Sequence, residues 1–378
     1  MSDTTSRRRF LGQGVQALGA LSVAGRVLGT GSAWASPADS APALTDKAVA
    51  FLKRRQDGDG AWSASRKEPG VTALCVTALL RSKRVAPGEP AVTKALGYLE
   101  RFVGPKGGLS EAAHANYSTT IALMAFQEAN TGGKYDRFIK DGQAFLKNMQ
   151  WDESEGKGRD NGFYGGAGYG GGNSRPDLSN TSYFMEALRD TGLPADDPAL
   201  QKALVFVSRC QNLKSEFNDQ PWASKANDGG FVYTAANGGQ SMAGPPDANG
   251  GLRSYASMTY AGLKSMIYAG LNRDDPRVKA AYDYITKHYS LDENPGMGQV
   301  GLYYYYHTFA KALAMLGRPT LTDAAGREHD WRLELVEALA KRQNPDGSWV
   351  NTADRFMEGD PNLVTSYGLL ALAYTRSK

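Results

Sequence analysis

The sequence predicts an all-α domain built from six helical hairpins closed into a ring, and three observations carry that expectation. Two stretches at opposite ends of the chain nearly coincide: Ala48 to Gln56 running to Gly60-Ala61-Trp62, and Val336 to Gln343 running to Gly347-Ser348-Trp349, with Trp six residues after Gln in both. Four further copies of an apolar helix, a Gly-containing turn and a second apolar helix lie between them. The two copies most alike are the first and the last, which a ring makes neighbours, and the polar end-caps that an open solenoid requires are not evident.

In chain order, the first 35 residues come first. Ser6-Arg7-Arg8-Arg9-Phe10-Leu11, a mildly apolar Gly-rich stretch and Ala33-Trp34-Ala35 read as a twin-arginine export signal, residues 1–35, cleaved before Ser36. Gln13, Gln16 and Arg26 interrupt the apolar stretch, which makes it a poor membrane span. The mature domain, 36–378, is then expected outside the cytoplasm, periplasmic or secreted.

The first helices of the six hairpins are expected to end near Gln56, Phe102, Gln150, Gln211, His288 and Gln343. Three of them begin with an acid followed by proline: Glu89-Pro90, Asp197-Pro198 and Asp275-Pro276. Proline at the first helical position and an acid at the cap mark helix starts, so the Asp196-Asp197 and Asp274-Asp275 pairs are caps and not catalytic carboxylates. The central turns are expected at Gly108-Leu109, Gly162-Phe163, Gly230-Phe231 and Gly296-Met297. The second helices share a register in which Thr, or a substitute, precedes a small residue by six: Thr72, Thr119, Thr181, Thr259, Tyr306 and Thr365. Long Gly-rich loops, 161–180 and 212–253, lead into the third and fourth second helices and are expected at one mouth of the ring.

Bulk properties narrow the function. The 378 residues are 41% hydrophobic and 22% charged, a globular composition. Four of the 43 basic residues and one of the 39 acids fall in the first 35 positions, so the remainder is almost neutral, which argues against a nucleic-acid partner. Cys75 and Cys210 lie on helices three units apart and are expected as buried thiols. Asp57-Gly58-Asp59-Gly60 opens like a calcium loop, but Trp62 stands where that loop needs Gly, so a tight turn is expected. The glycine run 165–172 has neither a preceding strand nor a Gly-Lys-Ser/Thr, and no Gly-x-Ser-x-Gly elbow occurs.

The Phe51-Leu52, Gln56 and Gly60-Ala61-Trp62 pattern resembles the Gln-Trp motif of squalene-hopene and oxidosqualene cyclases, and the Gly-Gly-Phe turns resemble those of protein prenyltransferase β-subunits. Over nearly the whole mature chain, this resemblance implies an α/α toroid with inner helices around a central cavity and outer helices around them. It implies a small hydrophobic or amphipathic, isoprenoid-like ligand. It does not carry over the chemistry. No Asp-x-Asp-Asp acid motif is present, and the family's zinc-binding His matches Tyr306-His307-Thr308 while its Asp and Cys fall within Ser257-Met258-Thr259-Tyr260. The family's diphosphate-binding His falls on Asp177. No metal site and no cofactor are therefore expected.

Aligning the second helices puts Ala73, Thr120, Ser182, Tyr260, His307 and Ser366 at one position and Thr77, Met124, Glu186, Lys264, Lys311 and Leu370 one turn further on. His307, Tyr304 and Tyr260 are the candidate catalytic residues, proton donors or acceptors. Lys311, Lys264, Glu186, Tyr303, Tyr183 and Tyr367 are the candidate cavity lining, with the lysines expected to meet Glu186. Two other readings fit the same residues: a polysaccharide lyase or glycosidase on an α/α barrel, and a non-catalytic scaffold.

Overall fold

The structure, a computed structural model, describes residues 37–63, 69–109, 114–170 and 174–376. The expected signal, 1–35, lies outside the described residues, as do positions 171–173 of the glycine run. Six helices form an inner ring: α2 (Gly70–Arg81), α4 (Ala115–Glu128), α6 (Leu178–Asp190), α9 (Ala256–Tyr268), α11 (Leu302–Leu316) and α13 (Pro361–Thr375). Each packs on the next, and α13 packs on α2, so the ring is closed. The outer helices are α1 (Pro37–Arg55), α3 (Pro90–Glu100), α5 (Asp136–Lys147), α7 (Pro198–Arg209), α10 (Pro276–Lys287) and α12 (Trp331–Ala340). A single turn, α8 (Ala223–Ala226), and a two-residue hairpin of β1 (Leu321–Thr322) and β2 (Glu328–His329) sit in the connections. The architecture is an α/α toroid. No helix among the described residues is long and apolar enough to cross a membrane.

The two rings differ because their sequences do. In α2 every residue from Val71 to Arg81 is buried, as expected of a helix enclosed on all sides. In α5 only Ile139, Gly142 and Leu146 are buried, an amphipathic stripe turned toward the core. Asp197 and Asp275 cap α7 and α10, each accepting the backbone N–H two residues on at 2.9 Å. Cys75 and Cys210 are free and buried.

The repeated residues are repeated joints. The hydroxyls of Thr72, Thr119, Thr181, Thr259 and Thr365 accept the turn N–H of Trp62, Leu109, Ala167, Phe231 and Trp349 at 2.8–3.1 Å. In the fifth hairpin Tyr306 takes the place of Thr and instead donates its hydroxyl to the Leu291 carbonyl at 2.5 Å. Each of Gln56, Gln150, Gln211 and Gln343 donates its side-chain amide twice. One bond goes to the Gly carbonyl of its own turn and one to a backbone carbonyl of the next outer helix. For Gln343 the next outer helix is α1, through the Leu44 carbonyl at 3.0 Å. The ring thus closes with the same joint that links its consecutive units.

One turn departs from expectation. The third central turn is Gly165-Gly166-Ala167 and not Gly162-Phe163, because Ala167 meets Thr181 and Gly165 lies against α7. A Cβ on Gly165, whose φ is +81°, would fall 1.8 Å from the Lys202 carbonyl oxygen. Only a glycine fits that approach.

Candidate functional site

The N-terminal turns of the inner helices and the loops entering them enclose a cavity of about 550 Å³. Leu74, Ile121, Met258 and Leu363 supply aliphatic walls from four inner helices, while Tyr169 and Tyr233 come from the two long Gly-rich loops. Phe356 and Met357 form part of the rim, 49% and 41% exposed, both with φ of +66°. Such backbone is uncommon for large side chains, so the surrounding contacts hold it there. Glu358, next in the chain, supplies that hold: its carboxylate accepts the N–H groups of Tyr303 at 3.0 Å and Tyr304 at 2.8 Å, and Asn351 at 2.6 Å. A carboxylate at the N-terminus of α11 meets the positive end of the helix. Burial nevertheless pushes the Glu358 carboxyl up.

Among the described residues, no Lys or Arg side chain lines this cavity. Its floor is phenolic. Tyr117 of α4 and Tyr367 of α13 join hydroxyls at 2.9 Å, and the Tyr304 hydroxyl meets Ser179 at 3.2 Å. Beneath them lies His307. Its ring is stacked on Tyr367 at 5.8 Å and on Tyr183 at 6.4 Å, with Tyr374 at 6.2 Å. Neither ring nitrogen has a hydrogen-bond partner among the described residues. Burial drives the His307 pKa down to about 3, against the pull of Glu186 and together with the charges of Lys264 and Lys311. The ring is neutral at physiological pH.

Below His307 the axis is closed by charge. Glu186 accepts from Lys264 and from Lys311, each at 2.5 Å, and Lys311 also reaches Asp190 at 3.1 Å. Arg81 joins Glu128 at 2.8 Å, Asp190 at 2.7 Å and the Tyr374 hydroxyl at 3.0 Å. Burial opposes the charge on Glu186, yet Lys264 and Lys311 hold its carboxyl well below the usual range. Burial pushes the Lys264 ammonium down against the same partner. One connected network therefore takes a side chain from each of the six inner helices. A second, polar pocket of about 420 Å³ opens on its far side.

Of the sequence candidates, Tyr304 and Tyr367 line the cavity. Tyr183 and His307 lie under its floor, and Glu186, Lys264 and Lys311 sit in the network below. Tyr260 and Tyr303 do not reach the cavity. Tyr260 packs its ring on Tyr305 at 5.7 Å and Phe309 at 5.1 Å, between α9 and α11. Tyr303 packs against Tyr306 at 5.7 Å. Residues at the shared register position touch the next inner helix, and for Tyr260 that contact is where the side chain ends, whereas His307 also reaches Tyr183 across the ring. Ser182 bonds to Ala261 of α9, Tyr260 touches Tyr305 of α11, His307 touches Tyr367 of α13, and Ser366 bonds to Cys75 of α2.

Sequence reasoning did not single out Asp177, Tyr233 or Glu358 as functional. Asp177 is the N-cap of α6, its two oxygens accepting the backbone and side-chain N–H groups of Asn180, each at 2.9 Å. Burial pushes its carboxyl up to about 6, against those bonds and one from the Tyr233 hydroxyl. Tyr233 and Tyr169 are hydrogen-bonded in turn and both face the cavity, so Asp177 connects to it through phenols. A cap residue in front of an inner helix, with two tyrosine-bearing loops nearby, was the available signal.

No family model matches the chain. A stretch of 202 residues, 48% of the chain, is 25% identical to the squalene–hopene cyclase of Zymomonas mobilis. A stretch of 66 residues, 17% of the chain, is 41% identical to the drimenyl diphosphate synthase of Streptomyces showdoensis. The matched stretches make up 29% and 12% of those two proteins, so the chain spans under a third of the length of the curated relatives it matches. Among solved structures, the type II terpene cyclase MstE from Scytonema in complex with geranylgeranyl dihydroxybenzoate is similar with a TM-score of 0.54 at 13% identity, over 90% of this chain and 97% of that one. A protein from Actinoplanes is similar with a TM-score of 0.52 at 15% identity, over 89% and 99%. The fold is terpenoid-cyclase-like.

Proposed function

We propose that this terpenoid-cyclase-like toroid is exported and binds a neutral, isoprenoid-like molecule in its central cavity. The observation that carries the reading is the lining. A cavity of about 550 Å³ walled by aliphatic and phenolic side chains is suited to a flexible hydrocarbon with one polar end. A diphosphate ester needs cations to neutralise it, and among the described residues the lining offers none. The same shortage weighs against a uronate-binding lyase, as does the low basicity of His307, which does not line the cavity. Export rests on Arg7-Arg8-Arg9-Phe10-Leu11 and on Ala33-Trp34-Ala35.

Asp177 favours a second reading, that the bound molecule is also transformed. A carboxyl pushed up to about 6 retains its proton over part of the population near neutral pH. Tyr233 stands between that proton and the cavity.

Native mass spectrometry of the protein recovered from the cell envelope tests both parts of the main proposal. The expected polypeptide begins near Ser36 and carries one isoprenoid-sized adduct that lacks phosphorus. A full-length cytoplasmic polypeptide would overturn export, and a phosphorylated adduct would overturn the neutral ligand.

A further inference from the structure

We propose that the space around His307 is an inner subsite of the cavity, reached when the Tyr117–Tyr367 hydroxyl pair parts, and that it takes the hydroxyl or carbonyl oxygen of a neutral ligand. The inference rests on the isoprenoid-binding reading and deepens it by assigning the ligand's polar end to the floor and not to the mouth.

His307 is 1% exposed, yet neither Nδ1 nor Nε2 has a partner among the described residues. A neutral imidazole carries one N–H donor and one lone pair, and leaving both buried and unmet is costly. The flanking groups cannot serve. The rings of Tyr367, Tyr183 and Tyr374 surround the imidazole at 5.8–6.4 Å between centroids and at 20–30° to its plane, and none of their hydroxyls meets its nitrogens. The ammonium groups of Lys264 and Lys311 are committed to Glu186. What is absent is a small polar group able to donate or accept, and a hydroxyl does both.

Between this ring and the cavity stands the tyrosine floor, in which the Tyr117 and Tyr367 hydroxyls meet at 2.9 Å and Tyr183 and Tyr304 pack beside them. Tyr117 and Tyr367 both line the cavity, so movement of their side chains is the route by which a ligand end would reach His307. A charged ligand end is excluded by chemistry: an anion would compete with Glu186 for the lysines, and a cation would meet Lys264, Lys311 and Arg81 without a free acid. The subsite therefore selects alcohols, phenols or ketones over hydrocarbons and over diphosphates. Buried polar groups that a site is built to satisfy discriminate strongly against a ligand lacking the matching atom.

The test uses the full chain with farnesol and, as a hydrocarbon of the same length, farnesene. His307→Phe keeps the stacked ring and removes both nitrogens. Farnesol is expected to bind this variant at least tenfold more weakly than the wild type, while farnesene changes less than twofold. In the wild type, farnesol but not farnesene is expected to shift the ring nitrogen resonances of His307, a readout that needs no variant to fold. Tyr367→Phe, which removes the floor bond, is expected to speed farnesol association. If both probes bind and His307→Phe affects them alike, or the ring nitrogens do not respond to farnesol, only water meets His307 and the subsite is wrong. If neither probe binds the wild type, the isoprenoid reading fails and the subsite fails with it.

Discussion

Asp177 shows how one side chain couples the site to stability. Burial raises its carboxyl from 3.8 to about 6, so between those values the folded state holds a proton that the unfolded chain has released. Its contribution is therefore largest below about pH 4 and is lost as the pH rises through about 6. Asp177→Asn mimics the protonated form and keeps a good N-cap. The variant is expected to match the wild type at pH 4 and to be more stable at pH 7.5 by up to about 3 kcal/mol. Denaturant titrations at the two pH values check this; an equal loss at both would mean that Asp177 acts only as a cap. The sequence showed Asp177 but not its burial, because what raises the carboxyl is a ceiling of tyrosines from distant loops. The caps Asp197 and Asp275 were legible, since a helix start depends on neighbours in sequence.

At the scale of the element, the hairpin was legible because its joints are made by residues at fixed spacings. Gln343 bonds to the Gly347 and Leu44 carbonyls as Gln150 bonds to those of Gly165 and Ala199. Replacing either Gln by Ala leaves two carbonyls without their donor, and about 2 kcal/mol is expected in each case. Equal losses in denaturant titrations would mean that the seam between α12 and α1 is an ordinary joint of the ring. A Gln343→Ala loss well below that of Gln150→Ala would mean that the ring is open there. The direction of individual side chains was less legible. Inner helices are buried on every side, so the alternation of apolar and polar residues that gives an outer helix its phase has little to report. That is why Tyr260, one turn before Lys264, was expected beside it at the cavity but turns into the α9–α11 interface. The third turn was misplaced for a related reason: several glycines compete in 162–172, and only contact with α7 and Thr181 selects Gly165.

The whole molecule has two unlike ends. The N-terminal turns of the inner helices hold a phenol-floored cavity whose described lining has no Lys or Arg, and their C-terminal half holds the network of Arg81, Glu128, Glu186, Asp190, Lys264, Lys311 and Tyr374. Buried ion pairs gain little net stability over apolar packing. Here they bring a side chain from all six inner helices to one point and close the axis below His307. The cavity thus has a mouth at one end and charge, kept out of reach by the tyrosines, at the other. Among the described residues it offers a ligand no cation, which favours a neutral one. Isothermal titration calorimetry of the full chain with farnesol and with farnesyl diphosphate tests that claim most directly, with Leu363→Trp as a variant whose larger ring narrows the cavity. One equivalent of farnesol is expected to bind with a negative heat-capacity change, farnesyl diphosphate at least tenfold more weakly, and Leu363→Trp to weaken farnesol binding. Tighter binding of the diphosphate, or farnesol binding that Leu363→Trp leaves unchanged, would contradict the account.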